Sequence, residues 1–559
     1  MIKKISAYYF VWLSLAAAAC MLNSSCSKDL LTEDPEDFFS TSNAFSNPET
    51  FQLAVNAIYA SARTFIFSGT DAESGGYPYR EYLRMGTDVA TCGQAHRPYL
   101  LVDFSYLTPE HDAAVDFWDA AYLTLIPRAN TVIDQADIST TVQWESEAQK
   151  NYIVAQAKFF RAYTYYTLVN LYGSVPLIEH EITSAEFSFT RNSADSVLDF
   201  IRQDLEFSSQ WLTADPDQVT EGQLTGAAAD MLLATVDLQM NMPDSAVAAT
   251  SRIINSGYYT LMAERFGDDA DHDGHFPSGG GDVFSDLFWE NNANRSGGNM
   301  ESIWVLQSAE NVVGGDIGTS LSRTWGPYYA NMIAPNGILG MVLADSLGGR
   351  PVGYVRTTNY FNYTIWENDW DDMRNSAWNI RRVWYYNNPA NPLYGQQVDL
   401  TDPGVIDTIQ RIYPMIRKAE GAITSINGST TPNQKFIVYR LAEAYLLRAE
   451  AYMDLSQLQN AADDINIVRA RANAPLITAG DVNIDFILDE RARELIIEEP
   501  RRLTLNRLGL WYERTLKYSL NEPTFYYLIA KTIQPYNALF PIPQTAMDIT
   551  TGLTQNPGY

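Results

Sequence analysis

The chain has 559 residues with 67 acidic against 38 basic side chains, a formal charge of −29, which excludes the usual profile of a nucleic-acid binder. Apolar residues make up 46% and aromatic residues 13%, enough for one large continuous core. The three cysteines, Cys20, Cys26 and Cys92, offer no disulfide framework, so packing must hold the fold.

At the N-terminus, Lys3 and Lys4 precede an apolar run over residues 5–21, the layout of a secretory signal. The run approaches the roughly 20 residues a membrane span needs, but small residues and cysteines follow it where a stop-transfer segment would be basic. Small residues before a cysteine suit the bacterial lipoprotein peptidase. Cys26, after Leu22-Asn23-Ser24-Ser25, is the expected lipidation site; Cys20, after three alanines, is the alternative. This gives a removed signal over 1–25 and an acidic tether over 26–40. A cysteine with several acyl chains makes a stable membrane anchor.

Breaker-poor stretches over 47–65, 112–135, 145–172, 193–212 and 222–257 predict helices. In the third, Ile153, Ala157, Phe160, Thr164, Leu168 and Leu171 form one face, and Gly173 and Pro176 stop it. Tyr445, Ala449, Tyr452, Ala461 and Ile465 follow tetratricopeptide spacing. Met231, Leu233, Ala234 and Ala246 repeat it, with Asp237 where an aromatic residue is expected. Over 267–430 glycine, asparagine and aromatic residues crowd in, which predicts an irregular functional surface with short strands near 302–307 and 383–386. Helices resume over 432–472 and 485–502. The expected organisation is a helical part over 41–266, a loop- and aromatic-rich region over 267–430 and a helical C-terminal part over 431–559, together one compact domain.

None of the five histidines sits in HExxH, and no nucleophile elbow or P-loop is present. The carboxylates alone do not define a glycosidase pair, and the chain reads as a non-enzyme needing no cofactor. Seven of the twelve tryptophans lie between 289 and 384, beside Tyr328, Tyr329, Tyr360, Tyr363, Tyr385 and Tyr386. Aromatic rings in irregular backbone suit a binding surface for the apolar faces of sugars. Asp269, Asp271, Asp273 and Gly274 reproduce part of an EF-hand loop. Its twelfth position is Gly280, with Asp282 two residues on. These carboxylates are candidates for a structural calcium ion; an acidic turn is the alternative.

Several segments resemble the SusD/RagB-like family of Bacteroidetes outer-membrane nutrient-binding lipoproteins. They are Arg161-Ala162-Tyr163 leading to Tyr172-Gly173 and Val175-Pro176-Leu177, the helix over 439–451, and Ile465-Asn466 with 468–471. Glu490-Arg491, Glu494-Leu495, Leu539-Phe540-Pro541-Ile542-Pro543 and the terminal 555–559 continue the pattern in order. Pro500 in Glu499-Pro500-Arg501 departs from the family's usual glycine, so the local turn must differ. The resemblance implies a mainly α SusD-like fold, with tetratricopeptide-like hairpins on one side and a looped ligand surface on the other. It implies a lipid-anchored, surface-exposed outer-membrane protein that hands oligosaccharides to a SusC-like TonB-dependent transporter. The alternatives are a peptide-binding, RagB-like member or a scaffold that binds no ligand. By family position the ligand surface draws on loops near 77–99 and 325–329. That makes Trp325, Tyr328 and Tyr329 the candidates, with His96, Arg97 and Tyr99 as partners and Trp366 and Trp370 as further platforms.

Overall fold

A computed structural model describes residues 44–67, 79–94, 103–268, 270, 280–289, 291–309, 312, 321–401, 409–420, 434–519 and 527–559. The expected signal and tether, with Cys20 and Cys26, lie outside the described residues.

Helix α1 (Pro48–Ile66) starts at Asn47, whose side chain accepts from the Thr50 N–H at 3.1 Å in a reciprocal capping box. Helix α2 (Asp112–Ala120) passes through a π-helical turn (Ala121–Leu125) into α3 (Ile126–Ile138). The sequence predicts one unbroken helix here. Pro127 lacks the N–H an α-helical interior requires, and the backbone loosens just before it.

Helix α4 (Glu147–Tyr172) is buried almost all round beyond Ile153 and ends at Gly173, with φ +72°. Helices α5 (Ala194–Trp211), α6 (Gly226–Gln239) and α7 (Pro243–Ile254) follow. Asn241, at φ +57°, makes the turn between α6 and α7, so the stretch over 222–257 is a hairpin.

Helices α8 (Leu441–Asp454) and α9 (Leu458–Arg471) form the second hairpin, turning at Ser456. The array runs α4, α5, α6, α7, α8, α9, each packed on the next. The small residues read from the spacing, Ala234, Ala246, Ala449 and Ala461, are fully buried where helices meet. Asp237 is buried too, ion-paired to the Arg202 Nε at 2.7 Å.

Among the described residues six short strands make three antiparallel pairs. β1 (Ala90–Cys92) pairs with β3 (Val355–Thr357), and β4 (Ile380–Arg381) with β5 (Met415–Ile416). β2 (Ser302–Leu306) pairs with β6 (Phe436–Arg440), Leu306 opposite Phe436 and Ser302 opposite Arg440. The strand expected near 302–307 is present. The one expected over 383–386 is reduced to an isolated bridge, Tyr385 to Gln397. The predicted helix from 432 begins only at Leu441, because aromatic and β-branched Phe436–Arg440 take strand geometry.

Helices α10 (Ile484–Leu495) and α11 (Arg501–Arg507) replace one predicted helix. The break holds Ile497 at φ +75° and then Pro500, which disfavours helix in the residue before it. Helix α12 (Trp511–Ser519) follows. A hydrophobic core runs from Phe51 to Ile542, drawing on the helical parts and on the region between them. A second, smaller core built on Tyr329, Met332, Trp384, Tyr386 and Met415 underlies the irregular region. No helix among the described residues is long and apolar enough to cross a membrane.

Candidate functional site

The seven tryptophans between 289 and 384 divide sharply. Trp304, Trp325, Trp366 and Trp384 are core, and Trp289 and Trp378 half-buried; only Trp370, at 55% exposure, faces solvent. Three expected ligand platforms are therefore corrected. Trp325 ends the short helix Leu321–Trp325 with 2% of its surface exposed. Burial pushes the nearby Glu81 carboxyl up, opposed by Arg84 and by the Trp325 indole N–H. Tyr329 is fully buried; its hydroxyl accepts from the Ala344 N–H at 3.0 Å and donates to the Gly349 carbonyl at 2.6 Å. Trp366 is fully buried and donates to the Phe361 carbonyl at 2.7 Å. Each ring is packed into core, so none presents a face to solvent.

Tyr328 is half-buried, with the Arg411 guanidinium 5.6 Å from its ring centroid and the Asn331 amide donating to its hydroxyl. His96, Arg97 and Tyr99 lie outside the described residues, as do Asp269, Asp271 and Asp273. Asp282 is described and already engaged. It caps the short helix Val283–Asp286, accepting from the Ser285 N–H at 2.8 Å. It also accepts from Ser376 Oγ and Asn379 Nδ2, each at 2.9 Å. Among the described residues no group of three or more His, Cys, Asp or Glu could hold a metal.

Trp370 belongs to a built surface. The Arg382 guanidinium lies 5.2 Å from the Trp370 ring centroid and 5.9 Å from that of Tyr363, which is also exposed. Contacts of this kind hold a ring against a cation. Asn375 and Asn362 fix Arg382 in turn: its Nη2 donates to Asn375 Oδ1 at 2.6 Å and to the Asn362 carbonyl at 2.7 Å. Asn375 Nδ2 donates to the Trp370 carbonyl at 2.8 Å, tying the loop to the same anchor. Burial draws the Arg382 pKa down to about 10, and no carboxylate pairs with it among the described residues. Glu367, Asn368 and Asp371 are exposed on the chain beside Trp370. Two rings set on a fixed cation and edged by carboxylates and an amide can stack a pyranose face and bond its hydroxyls. Sequence reasoning singled out Trp370 and noted Tyr363 among the aromatic residues. It missed Arg382, which no motif marks.

A separate cleft of about 420 Å³ lies between the loop before α6 and β2, lined by Asp217, Glu221, Asn294, Arg295 and Met300 among others. Its carboxylates hold the cleft walls together. Glu221 accepts from the Ser296 N–H at 3.0 Å, and Asp217 from Arg295 Nε at 3.1 Å. Trp304 lines it with only 1% exposure, so the cleft lacks a stacking platform.

Four residues that carry the resemblance, Arg440, Arg471, Glu490 and Glu494, lie elsewhere, inside the scaffold. Arg440 pairs with Glu301, Glu494 and Glu498; Arg471 pairs with Glu301 and Glu494; and Arg374 with Asp372, Glu490 and Glu494. Burial would push the Glu494 carboxyl up, yet Arg471, Arg440 and Arg374 together hold it well below the usual range. This is a structural ion network, closed to ligand.

Comparison with known proteins agrees with this architecture. The profile of the SusD family matches residues 291–559, and that described as starch-binding, associating with outer membrane, matches 91–238. SusD-like protein P2 of Formosa agariphila is 25% identical over 491 residues, 86% of each chain. A SusD homolog from Bacteroides thetaiotaomicron superposes with a TM-score of 0.69 at 18% identity, covering 93% of this chain and 98% of that one. Surface glycan-binding protein A of the same species, solved in complex with laminarihexaose, gives 0.66 at 20% identity, covering 91% and 99%. By its sequence matches along both halves and by its helical backbone, the chain belongs to the SusD/RagB family.

Proposed function

We propose that this protein captures oligosaccharides at the cell surface, without cleaving them, and passes them to a SusC-like TonB-dependent transporter. The observation that carries the reading is the exposed Trp370–Arg382–Tyr363 platform on a SusD-like scaffold. A family neighbour solved with laminarihexaose supports a glycan as the ligand class. Attachment to the outer membrane is through acylated Cys26, and the family description, associating with outer membrane, supports that compartment.

The test is calorimetry and affinity electrophoresis against a glycan panel that includes laminarihexaose, on protein starting after Cys26. Binding to one glycan, weakened by Trp370→Ala, is the expected result. Retention of peptides with no glycan bound would replace this reading with the peptide-binding one. Lipidation is tested separately: Cys26→Ala should release the protein from the outer-membrane fraction, and Cys20→Ala should not.

A further inference from the structure

We infer that a narrow cavity between α4, α6, α8, α10 and α11 is a standing binding site for a small cluster of water molecules, held by Arg84, Arg491 and Arg507. The cavity measures about 40 Å³, above the roughly 10–15 Å³ at which a buried polar site admits water.

Its walls call for three donors' worth of partners. Arg491 donates from Nε to Glu499 at 2.6 Å and from Nη2 to Glu443 at 2.7 Å, which leaves Nη1 without a partner. Arg507 spends both terminal nitrogens on Glu450, at 2.6 and 2.8 Å, and its Nε has no partner. Arg84 donates from Nε to the Ile497 carbonyl, and its Nη1 has no acceptor within hydrogen-bond reach. A Glu81 oxygen stands 3.8 Å from that nitrogen, too far to accept. The three side chains are at least 97% buried, and all three line the cavity. Buried N–H groups left without acceptors are costly, and water in this space supplies them.

The lining also decides which small species it takes. Glu443 lies in the cavity wall, keeping 13% of its side chain accessible. Burial raises its carboxyl, with Arg491 opposing. The phenols of Tyr163, Tyr166 and Tyr439 complete the polar wall. Arg491 and Arg507 already pair with carboxylates, so an anion would meet Glu443 with little unbalanced positive charge to draw it in. Water, which both gives and takes hydrogen bonds, satisfies donors and acceptors together.

A high-resolution crystal structure of the wild-type protein, with a parallel bromide soak, tests the assignment. The expected map has separate density peaks within hydrogen-bond distance of Arg84 Nη1, Arg491 Nη1 and Arg507 Nε, and no anomalous signal in the cavity. Oxygen-17 relaxation dispersion in solution should show long-lived internal waters. A dry cavity, a bromide peak, or the three arginines re-paired so that the space closes would each overturn the inference.

Discussion

Glu301 Oε1 lies 2.7 Å from Arg440 Nη1, and both side chains are at least 99% buried. Glu301 directly precedes β2 and Arg440 ends β6, so the pair rivets the ribbon at the end nearest α8. A buried charge stripped of its partner is far more costly than the intact pair is stabilising. Arg440→Ala should therefore cost about 3–5 kcal/mol, read as a lower urea midpoint, because Glu301, Glu494 and Glu498 all lose a cation.

Two tryptophans four residues apart should behave in opposite ways. Trp366→Ala should destabilise by about 3–5 kcal/mol through the cavity it leaves. Trp370→Ala should change stability by no more than about 0.5 kcal/mol while lowering glycan affinity about tenfold, or roughly 1.4 kcal/mol. Thermal unfolding and calorimetry on the two variants separate the roles.

Arg382 is expected to set the two rings through its planar, fixed guanidinium. Arg382→Gln should weaken glycan binding several-fold and shift Trp370 fluorescence. Arg382→Lys should not restore affinity, because an ammonium cannot reproduce the flat contact or the bonds to Asn375 and Asn362.

Acid should unfold the protein through its buried carboxylates. Burial alone would raise Asp88, but Arg501 and Arg514 outweigh it and hold the carboxyl at about 2. Glu490 also lies at about 2, burial again being outweighed, by Arg374, Arg493 and Arg469. Unfolded carboxylates titrate near about 4, so the unfolded chain binds more protons in this range and stability falls as pH falls. The melting temperature should hold above about pH 5 and drop steeply between about pH 4 and 2, measured by calorimetry across that range.

The last five residues act as a clasp. Asn556 Nδ2 donates to the Phe540 carbonyl at 2.7 Å and the Tyr172 carbonyl at 3.0 Å, and the Tyr559 hydroxyl to Leu539 at 2.8 Å. Gln555 bonds Ile542 through both its amide atoms. Deleting 555–559 should cost about 3–6 kcal/mol, at roughly 1 kcal/mol per hydrogen bond plus lost packing, visible as a lower melting temperature.

The helical scaffold was legible because its signal is periodic. The face read on α4 is buried, and the small residues of both hairpins sit at helix contacts. Strand β6 was missed although Phe-Ile-Val-Tyr carries strand preference, because its partner lies more than a hundred residues away and a single window cannot see it. Trp325, Tyr329 and Trp366 were misplaced for a different reason. Residue type says that a ring will be buried or used; only the packing says which. The arginines and glutamates of the late motifs carried the family resemblance, but their charge pointed to no chemistry until Glu301, far upstream, was placed among them.

The pairing of Leu306 with Phe436 has an evolutionary corollary. The chain leaves the ribbon at Leu306 and returns to it at Phe436, and the stretch between is fastened to the helical parts at further points, β3 on β1 and Arg374 on Glu490 and Glu494. Exposed loop positions away from those points can vary without shifting the register of the helical array. Surface and frame are thus free to diverge at different rates.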